Sequence, residues 1–419
     1  MIIVADLVCW GSEHVPFNTG ALQTVLAAFP EEDVLFVAEP SHSAHVREQL
    51  GSNASRVRWK ELRIPRRNAG YLERLWLERP LLKEIANVSA DHPIRQLLIL
   101  AGHRSTVVLR QIYRKLLPTG IPVQLVLHGG LTGIGQRRSL RPLRRLRDWK
   151  STINLFGRRG IQYLVLEENI RQLMLKELPF LAGRVEVFEH PLLPNETASE
   201  PTLLNYPIRF GFLGLANRQK GFPIFLDAAN RAIRKYSPRV EFHALGMASK
   251  ALEDLPHQET LTRRPAAQHL SRDEYTAAIA KLHFTIFPYD PVYYASCPSG
   301  TLLDAVSSGK PLIAARIPMF ENFFLKHGNV GYLFGSNCEL NDIIDSIVTR
   351  PDPELYKRQV RNVQKASSSR TSEALAINYR LITQTAKQFP EYSQSEEQPP
   401  VPVTDRKTGA ARRVSGTHQ

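Results

Sequence analysis

Short apolar runs alternate with longer helix-like stretches along most of the chain, and this alternation restricts its fold most strongly. Many runs are almost continuously apolar and rich in β-branched residues, as strands buried on both faces of a parallel sheet are. In the first half they are Ile2–Leu7, Val34–Ala38, Gln96–Ala101, Val123–His128, Ile161–Glu167 and Val185–Glu189. In the second half they are Ile208–Gly214, Val240–Leu245, Phe284–Pro288, Leu312–Ala315 and Val330–Phe334. Strands that alternate with helices predict an α/β fold with right-handed crossovers.

The length of the chain and its changes in composition predict several parts. A chain of 419 residues exceeds one ordinary hydrophobic core, so two domains are expected. Residues 191–207 are rich in proline and lack apolar periodicity, as linkers do. We predict Rossmann-like domains at 1–190 and 208–390. Residues 391–419 contain almost no large apolar side chains, which predicts a disordered tail.

Charge and cysteine usage bound the partners and the compartment. The formal net charge of +14 favours anionic partners, such as nucleotides, anionic lipid surfaces or nucleic acid. The three cysteines are scattered, which predicts neither a metal site nor a disulfide framework and fits the cytoplasm. The N-terminal apolar run lacks a preceding basic region and is interrupted by Asp6, unlike a signal peptide. No apolar stretch approaches the roughly 20 residues that span a bilayer.

The run Ile208–Gly214 leads into a basic loop that predicts an anion site. Ligands of open parallel sheets bind beyond the carboxyl ends of the strands. Gly214 permits a tight turn there, after which Asn217, Arg218 and Lys220 are expected to project towards the ligand. Lys220 precedes a predicted helix, so its charge and the free N–H groups both favour a phosphate. A basic loop that merely faces solvent has the same pattern.

A second anion site is predicted after Phe284–Pro288. Ser299 is a good N-cap for a helix, Gly300 allows close approach to the backbone, and Thr301 follows in the first turn. Asp304 lies about one turn inside that helix, where its carboxylate can accept hydrogen bonds from a ribose diol. The same carboxylate could instead simply complement the helix dipole.

These two motifs resemble the donor half of retaining glycosyltransferases with the GT-B fold, notably family 4. In that family a glycine-to-Lys-Gly loop, here Gly214 to Lys220-Gly221, holds the donor pyrophosphate, and an acidic residue, here Asp304, holds the ribose. The resemblance is specific over residues 208–335 and architectural before them. It implies two Rossmann-like domains that face each other across a cleft. The chain departs from the family pattern in having Ser296 where an acidic residue is usual and Leu215 where an arginine is common.

By this resemblance the first half binds the acceptor. The loop that follows Ile2–Leu7 is expected to run to Gly20, with a helix from about Ala21, and its Glu13 and His14 are candidates for acid–base or acceptor contacts. His128 follows a predicted strand and is similar to a histidine that the family places near the donor sugar. A structural role for this histidine remains an alternative.

Residues 137–150 form a basic segment in which Leu140, Leu143, Leu146 and Trp149 recur every three residues, so a helix there is expected to carry them on one face. Such a helix can lie in an anionic membrane interface, or it can pack its leucines on the domain and leave its arginines in water. We expect at most a peripheral position on the inner face of the membrane.

Together these features predict a hexosyltransferase-type glycosyltransferase that moves a sugar from a nucleotide-diphosphate donor to a saccharide or lipid-linked saccharide. Retention of configuration and a place in surface polysaccharide synthesis follow from the resemblance. We expect no metal, because the chain has no Asp-x-Asp motif, and no cofactor beyond the donor. The alternatives are a sugar-nucleotide epimerase and a degenerate, non-catalytic relative. We expect no specific nucleic-acid partner, because no recognition motif is present.

Overall fold

Two parallel sheets organise the protein, as seen in a computed structural model. The structure describes residues 1–65, 69–112, 121–128, 131, 134, 148–158, 160–193, 202–249, 257–268 and 270–386. The strands from the first half are β1 (Ile2–Asp6), β2 (Val34–Ala38), β3 (Val57–Glu61), β4 (Gln96–Ala101), β5 (Val123–Val126), β6 (Gln162–Val165) and β7 (Val185–Val187). Those from the second half are β8 (Ile208–Leu213), β9 (Val240–Leu245), β10 (Phe284–Phe287), β11 (Leu312–Ala315) and β12 (Gly331–Phe334).

Helices connect these strands. In the first half they are α1 (Val15–Ala28), α2 (Pro40–Leu50), α3 (Tyr71–Asp91), α4 (Arg104–Ile112), α5 (Trp149–Phe156) and α6 (Glu168–Glu177). In the second half they are α7 (Phe222–Tyr236), α8 (Arg272–Ala280), α9 (Gly300–Ser307), α10 (Pro318–His327), α11 (Asn337–Thr349), α12 (Pro353–Ser368) and α13 (Ser372–Ala386).

The order of the strands creates a crevice in each sheet. The first sheet has the order β3-β2-β1-β4-β5-β6-β7 and the second has the order β12-β11-β10-β8-β9, with all pairs parallel. The direction of winding changes between β1 and β4 and between β8 and β10. Ligands of doubly wound sheets bind at such points, beyond the carboxyl ends of the strands.

Both faces of each sheet are covered, as the apolar runs predict. Along β1, Ile3 and Ala5 join one buried cluster, while Ile2 and Val4 join the cluster on the opposite face. In the second sheet, Phe212 and its neighbour Leu213 divide between two clusters in the same way. Successive side chains of a strand point to opposite faces, so helices must pack on both sides. The α/β prediction with two Rossmann-like sheets is confirmed.

The sequence predicts the central strands well and the edges less well. Every predicted strand is present, with ends that differ by at most two residues. Strand β3 is missed, because only its first residue, Val57, is buried and the edge position requires no apolar run. The expected start of α1 near Ala21 is wrong: the helix begins at Val15 and has Pro16 in its first turn, where the fixed φ of proline suits a helix start.

Helix α13 returns to the first sheet. Tyr379 accepts a hydrogen bond from Gln96 Nε2 (2.7 Å) and donates one to Gln124 Oε1 (2.8 Å), and the helix packs against α1. The prediction that residues 208–390 form one domain is therefore wrong for α13, whose apolar face is buried on the N-terminal half. The predicted tail, 391–419, lies outside the described residues.

Candidate functional site

A cavity of about 320 Å³ opens at the carboxyl ends of β8 and β9. It is lined by Gly214, Leu215, Gly246, Met247, Leu270, Arg272, Tyr275, Thr301 and Asp304. The loop after β8 and helix α9, which follows β10, both reach it, so it lies beside the crevice of the second sheet. This is the position that doubly wound sheets use for ligands.

Two glycines let the backbone form the floor of this cavity. Gly214 has a φ of +79° and Gly246 a φ of +145°, a region that favours glycine. A Cβ on Gly246 would lie 2.1 Å from the carbonyl oxygen of Gly214, so the two strand ends lie too close together for a side chain at Gly246. A Cβ on Gly214 would lie 2.6 Å from Lys220 Nζ and 2.6 Å from Thr301 Cγ2. The absence of a side chain at Gly214 therefore leaves the space in which the lysine and the threonine meet.

Lys220 directs its amine into this narrow space. The Nζ atom donates to Thr301 Oγ1 (3.2 Å) and, more weakly, to the carbonyl oxygen of Leu213 (3.4 Å). Asn217 Oδ1 accepts the backbone N–H of Lys220 (2.7 Å) and thereby fixes the turn. Burial lowers the pKa of Lys220 to about 8, against the opposing effect of nearby Asp304. The amine is still mostly charged at pH 7, and its poor solvation strengthens its attraction for an anion.

The first turn of α9 supplies backbone donors on the same side. The Ser299 hydroxyl caps the helix by accepting from the N–H of Leu302 (3.2 Å), as its sequence position predicts. Tyr289 holds the side chains of this turn through contacts of its hydroxyl with Ser299 Oγ (2.9 Å) and Thr301 Oγ1 (2.7 Å). A Cβ on Gly300 would have no atom within 4 Å. Open space therefore lies in front of a helix N-terminus, which attracts anions.

The carboxylate of Asp304 completes the cavity. It accepts from Arg272 Nη1 (2.9 Å) and from the Tyr275 hydroxyl (3.2 Å), and only 16% of its side chain is exposed. Arg272 and Tyr275 were missed in the sequence. The capping box formed by Ser271 and Glu274 marks the start of α8, yet it does not show which side chains of α8 reach the cavity.

The second half thus brings together most of the residues that the sequence predicts there. Gly214, Lys220, Ser299, Gly300, Thr301 and Asp304 lie in or beside the cavity. Arg218 differs, because its side chain is exposed in the turn and does not line the cavity. Asn217 shapes the turn through the backbone of Lys220, and its amide oxygen is used for that contact.

The predicted residues of the first half lie at the carboxyl ends of β1 and β5. The rings of His14 and His128 have centroids 4.5 Å apart, and His128 also packs edge-on against Phe17 at 4.1 Å. Burial, together with nearby His14 and His190, lowers the pKa of His128 well below its usual value, so the imidazole is neutral at pH 7. Glu13 Oε2 accepts from the N–H of Trp10 (3.3 Å), inside the loop that begins after β1.

Helix α6 of the first half contacts the loop that leads into α9. Asn169 Nδ2 donates to the carbonyl oxygen of Ala295 (3.2 Å). The loop that carries Ser299 is thus held from both halves of the chain.

Three further features bear on metals and membranes. Within the described part of the chain, no group of three or more His, Cys, Asp or Glu side chains could hold a metal ion. None of the described helices combines the length and the apolarity needed to cross a membrane. Residues 137–147 of the basic segment lie outside the described residues, whereas Trp149 begins α5 and is buried in the core of the first sheet. This tryptophan therefore packs on the domain.

Comparison with known proteins places the fold. No protein-family model and no curated protein sequence matches the chain. The structure is similar to WaaG, a glycosyltransferase involved in lipopolysaccharide biosynthesis, with a TM-score of 0.59 and 12% identity over 91% of this chain and 99% of WaaG. It is also similar to Anabaena Alr3699/HepE in complex with UDP-glucose, with a TM-score of 0.58 and 14% identity over 92% of this chain and 100% of HepE. The chain has the GT-B fold.

The same fold is shared with proteins of other descriptions. The N-terminal domain of trehalose-6-phosphate phosphatase from Candida albicans has a TM-score of 0.60 and 9% identity, over 92% of this chain and 97% of that domain. Identities this low concern the fold alone. A shared fold does not fix the chemistry, which depends on the residues of the cavity.

Proposed function

We propose that the protein is a glycosyltransferase that takes a sugar from a nucleotide-diphosphate donor and passes it to a saccharide or lipid-linked saccharide. One observation carries this proposal: Thr301 in the first turn of α9 and the Asp304 carboxylate line one cavity, and the Lys220 amine contacts Thr301 beside it. The Lys220 amine and the helix N-terminus attract a diphosphate, and the Asp304 carboxylate can accept hydrogen bonds from the ribose hydroxyls. The likeness to WaaG and to the UDP-glucose complex of HepE supports a nucleotide sugar as donor.

In this proposal the cavity acts mainly on the leaving group. The bond between the anomeric carbon and the diphosphate oxygen breaks, and negative charge grows on the diphosphate. In this proposal Lys220 and the N–H groups of Gly300 and Thr301 face that charge, so they stabilise the transition state more than the ground state. Positive groups of the protein then do the work that a metal ion does in other transferases.

The first half supplies the acceptor side of the proposed reaction. The acceptor hydroxyl forms the new bond to the anomeric carbon and loses its proton. A neutral His128 can accept a proton or a hydrogen bond, and His14 and Glu13 lie in the loop beside it. We assign these three residues to acceptor contacts and proton transfer. Retention of configuration, a role in surface polysaccharide synthesis and a cytoplasmic location belong to the same proposal. So does membrane contact through the basic residues of the segment 137–150, without the buried Trp149.

Product analysis tests the proposed function. The protein is incubated with UDP-, GDP-, ADP- and TDP-sugars, with and without saccharide acceptors, and the nucleotides and sugars are separated by chromatography and mass. A transferase releases a nucleoside diphosphate only when it has a competent acceptor or water to react with. Conversion of one nucleotide sugar into its epimer without any acceptor would identify an epimerase instead. Binding without any product would identify a non-catalytic relative.

The affinity for a nucleoside diphosphate should fall as the pH rises through about 8. Lys220 is charged below its lowered pKa and neutral above it, so the charge that attracts the diphosphate is lost on the alkaline side. Titration calorimetry between pH 6.5 and 9.5 measures this. Lys220→Arg is the matched control, because a guanidinium stays charged throughout and its affinity should change little with pH. Parallel profiles for the two proteins would contradict the assignment.

Replacing Gly300 with alanine should weaken diphosphate binding without harming the fold. The new methyl group meets no protein atom within 4 Å, and alanine at a helix start is expected to raise stability by about 0.5 kcal/mol or leave it unchanged. The methyl group would occupy the space that the anion needs next to the backbone, which should weaken binding about tenfold. Thermal unfolding and calorimetry on the same sample separate the two effects. Unchanged affinity would show that the diphosphate does not approach Gly300.

A further inference from the structure

Two side chains of α8 hold the carboxylate of Asp304 before any ligand arrives. The Tyr275 hydroxyl donates to Oδ2 (3.2 Å) and Arg272 Nη1 donates to Oδ1 (2.9 Å). Burial and the nearby carboxylate raise the pKa of Tyr275 well above its usual value, so its hydroxyl remains a donor at neutral pH. Each oxygen of Asp304 therefore has one fixed protein partner.

The start of α8 is itself held in place. Ser271 Oγ accepts from the N–H of Glu274 (3.2 Å), and the Glu274 carboxylate accepts from the N–H of Ser271 (3.0 Å). The N–H of Tyr275 donates to the carbonyl oxygen of Ser271 (3.0 Å). This reciprocal cap orders the first turn, and Arg272 and Tyr275, three residues apart, share the helix face that meets Asp304.

We propose that Arg272 and Tyr275 are positioning residues that orient the Asp304 carboxylate so that the cavity selects ribose over 2′-deoxyribose in the nucleotide. This inference rests on the proposed function, since it requires a nucleotide in the cavity. A carboxylate has about four acceptor positions. Two are taken by Tyr275 and Arg272, and one on each oxygen remains for the two neighbouring hydroxyls of a ribose.

The burial of the Asp304 carboxylate makes the site selective for a nucleotide that carries both ribose hydroxyls. With only 16% of the Asp304 side chain exposed, little water can replace a missing hydroxyl once the nucleotide covers the cavity. A buried acceptor left without its donor costs more than an ordinary hydrogen bond contributes, so sites of this kind reject analogues that lack the hydroxyl. A carboxylate that is fixed beforehand also loses less freedom on binding.

A purely structural role for these contacts has a different signature. If Tyr275 and Arg272 only joined α8 to α9, their loss would weaken the binding of every nucleotide equally. If they orient Asp304, their loss affects the nucleotide that has the 2′-hydroxyl more than the one that lacks it. The ratio of two affinities on the same protein is therefore the decisive quantity, because a general folding defect cancels from it.

The experiment measures dissociation constants by calorimetry for UDP and 2′-deoxy-UDP, and for the corresponding guanosine and adenosine pairs. The wild-type protein should prefer the ribose form by about tenfold or more. In Tyr275→Phe, which keeps the ring and removes only the hydroxyl, this preference should fall at least about threefold. Arg272→Met should reduce it as well. Tyr356→Phe is the matched control, because that hydroxyl donates to the carbonyl oxygen of His283 away from the cavity and its removal should leave the ratio unchanged.

Two failures can be told apart. If the wild-type protein binds ribonucleoside diphosphates and Tyr275→Phe keeps the wild-type ratio, the inference is wrong and the proposed function stands. If no nucleoside diphosphate with either sugar binds the wild-type protein, the proposed function is wrong and the inference is lost with it.

Discussion

Replacing Lys220 with methionine should lower the rate of sugar transfer by about 100-fold or more, the usual effect of removing one preorganised donor from a developing negative charge. Methionine keeps most of the length of the side chain and removes its charge. The lost amine contacts Thr301 Oγ1, which Tyr289 also contacts, so the neighbouring helix start keeps a partner. Steady-state kinetics with the nucleotide sugar identified by product analysis measures the change.

The same variant should be as stable as the wild-type protein or more stable. The folded state lowers the pKa of Lys220 to about 8, which means that below this pH the folded protein holds a poorly solvated charge at a cost in stability. Removing that charge removes the cost. Activity and stability are thus expected to change in opposite directions. Lys281→Met, at an exposed position that follows α8, is the matched control and should leave both unchanged. A wild-type transfer rate in Lys220→Met would contradict the role of Lys220.

Replacing Gly221 with alanine should destabilise the protein by about 3 kcal/mol or more, since an unfavourable backbone conformation and overpacking each cost one to a few kcal/mol. Gly221 caps α7 with a φ of +71°, and a Cβ there would lie 1.7 Å from the carbonyl oxygen of Pro288. Pro288 follows β10, and its carbonyl is backbone, so no flexible side chain can move aside. The two loops that frame the cavity would have to separate.

Urea unfolding of the wild-type protein and of Gly221→Ala measures this loss. Gly300→Ala serves as the comparison, because it adds the same methyl group where no atom lies within 4 Å. Nucleotide affinity should also fall in Gly221→Ala, since the loop that carries Lys220 shifts. Equal stabilities for the two alanine variants would show that the approach of Gly221 to Pro288 is not tight in solution.

The strands could be predicted because a strand that is buried on both faces requires a continuous run of apolar residues in the sequence. Residues of β8 and β10 read as apolar runs without reference to any partner, whereas edge strand β3 is largely exposed and carries no such run. The crossing of α13 to the first sheet could not be predicted. The pattern of an amphipathic helix indicates that one of its faces is buried, but it does not indicate which sheet that face packs against.

Some residues of the cavity could likewise be predicted from the sequence, and others could not. Lys220, Ser299 and Asp304 follow strands or begin a helix, so local spacing was enough to predict their positions. The exposed position of Arg218 could not be foreseen, because the direction of each side chain in a turn depends on contacts such as that of Asn217 with the backbone of Lys220. Arg272 and Tyr275 come from a helix whose approach is set by packing alone. The contacts of these two residues with Asp304 could therefore be found only in the structure.

The most direct test of the central claim is a thermal-shift measurement of the purified protein with UDP, GDP, ADP, TDP and CMP, with Asp304→Ala measured alongside. We expect that one nucleoside diphosphate raises the unfolding temperature of the wild-type protein and that the rise is lost or strongly reduced in the variant. No shift with any of these nucleotides, or an equal shift in Asp304→Ala, would contradict a nucleotide-sugar site in this cavity.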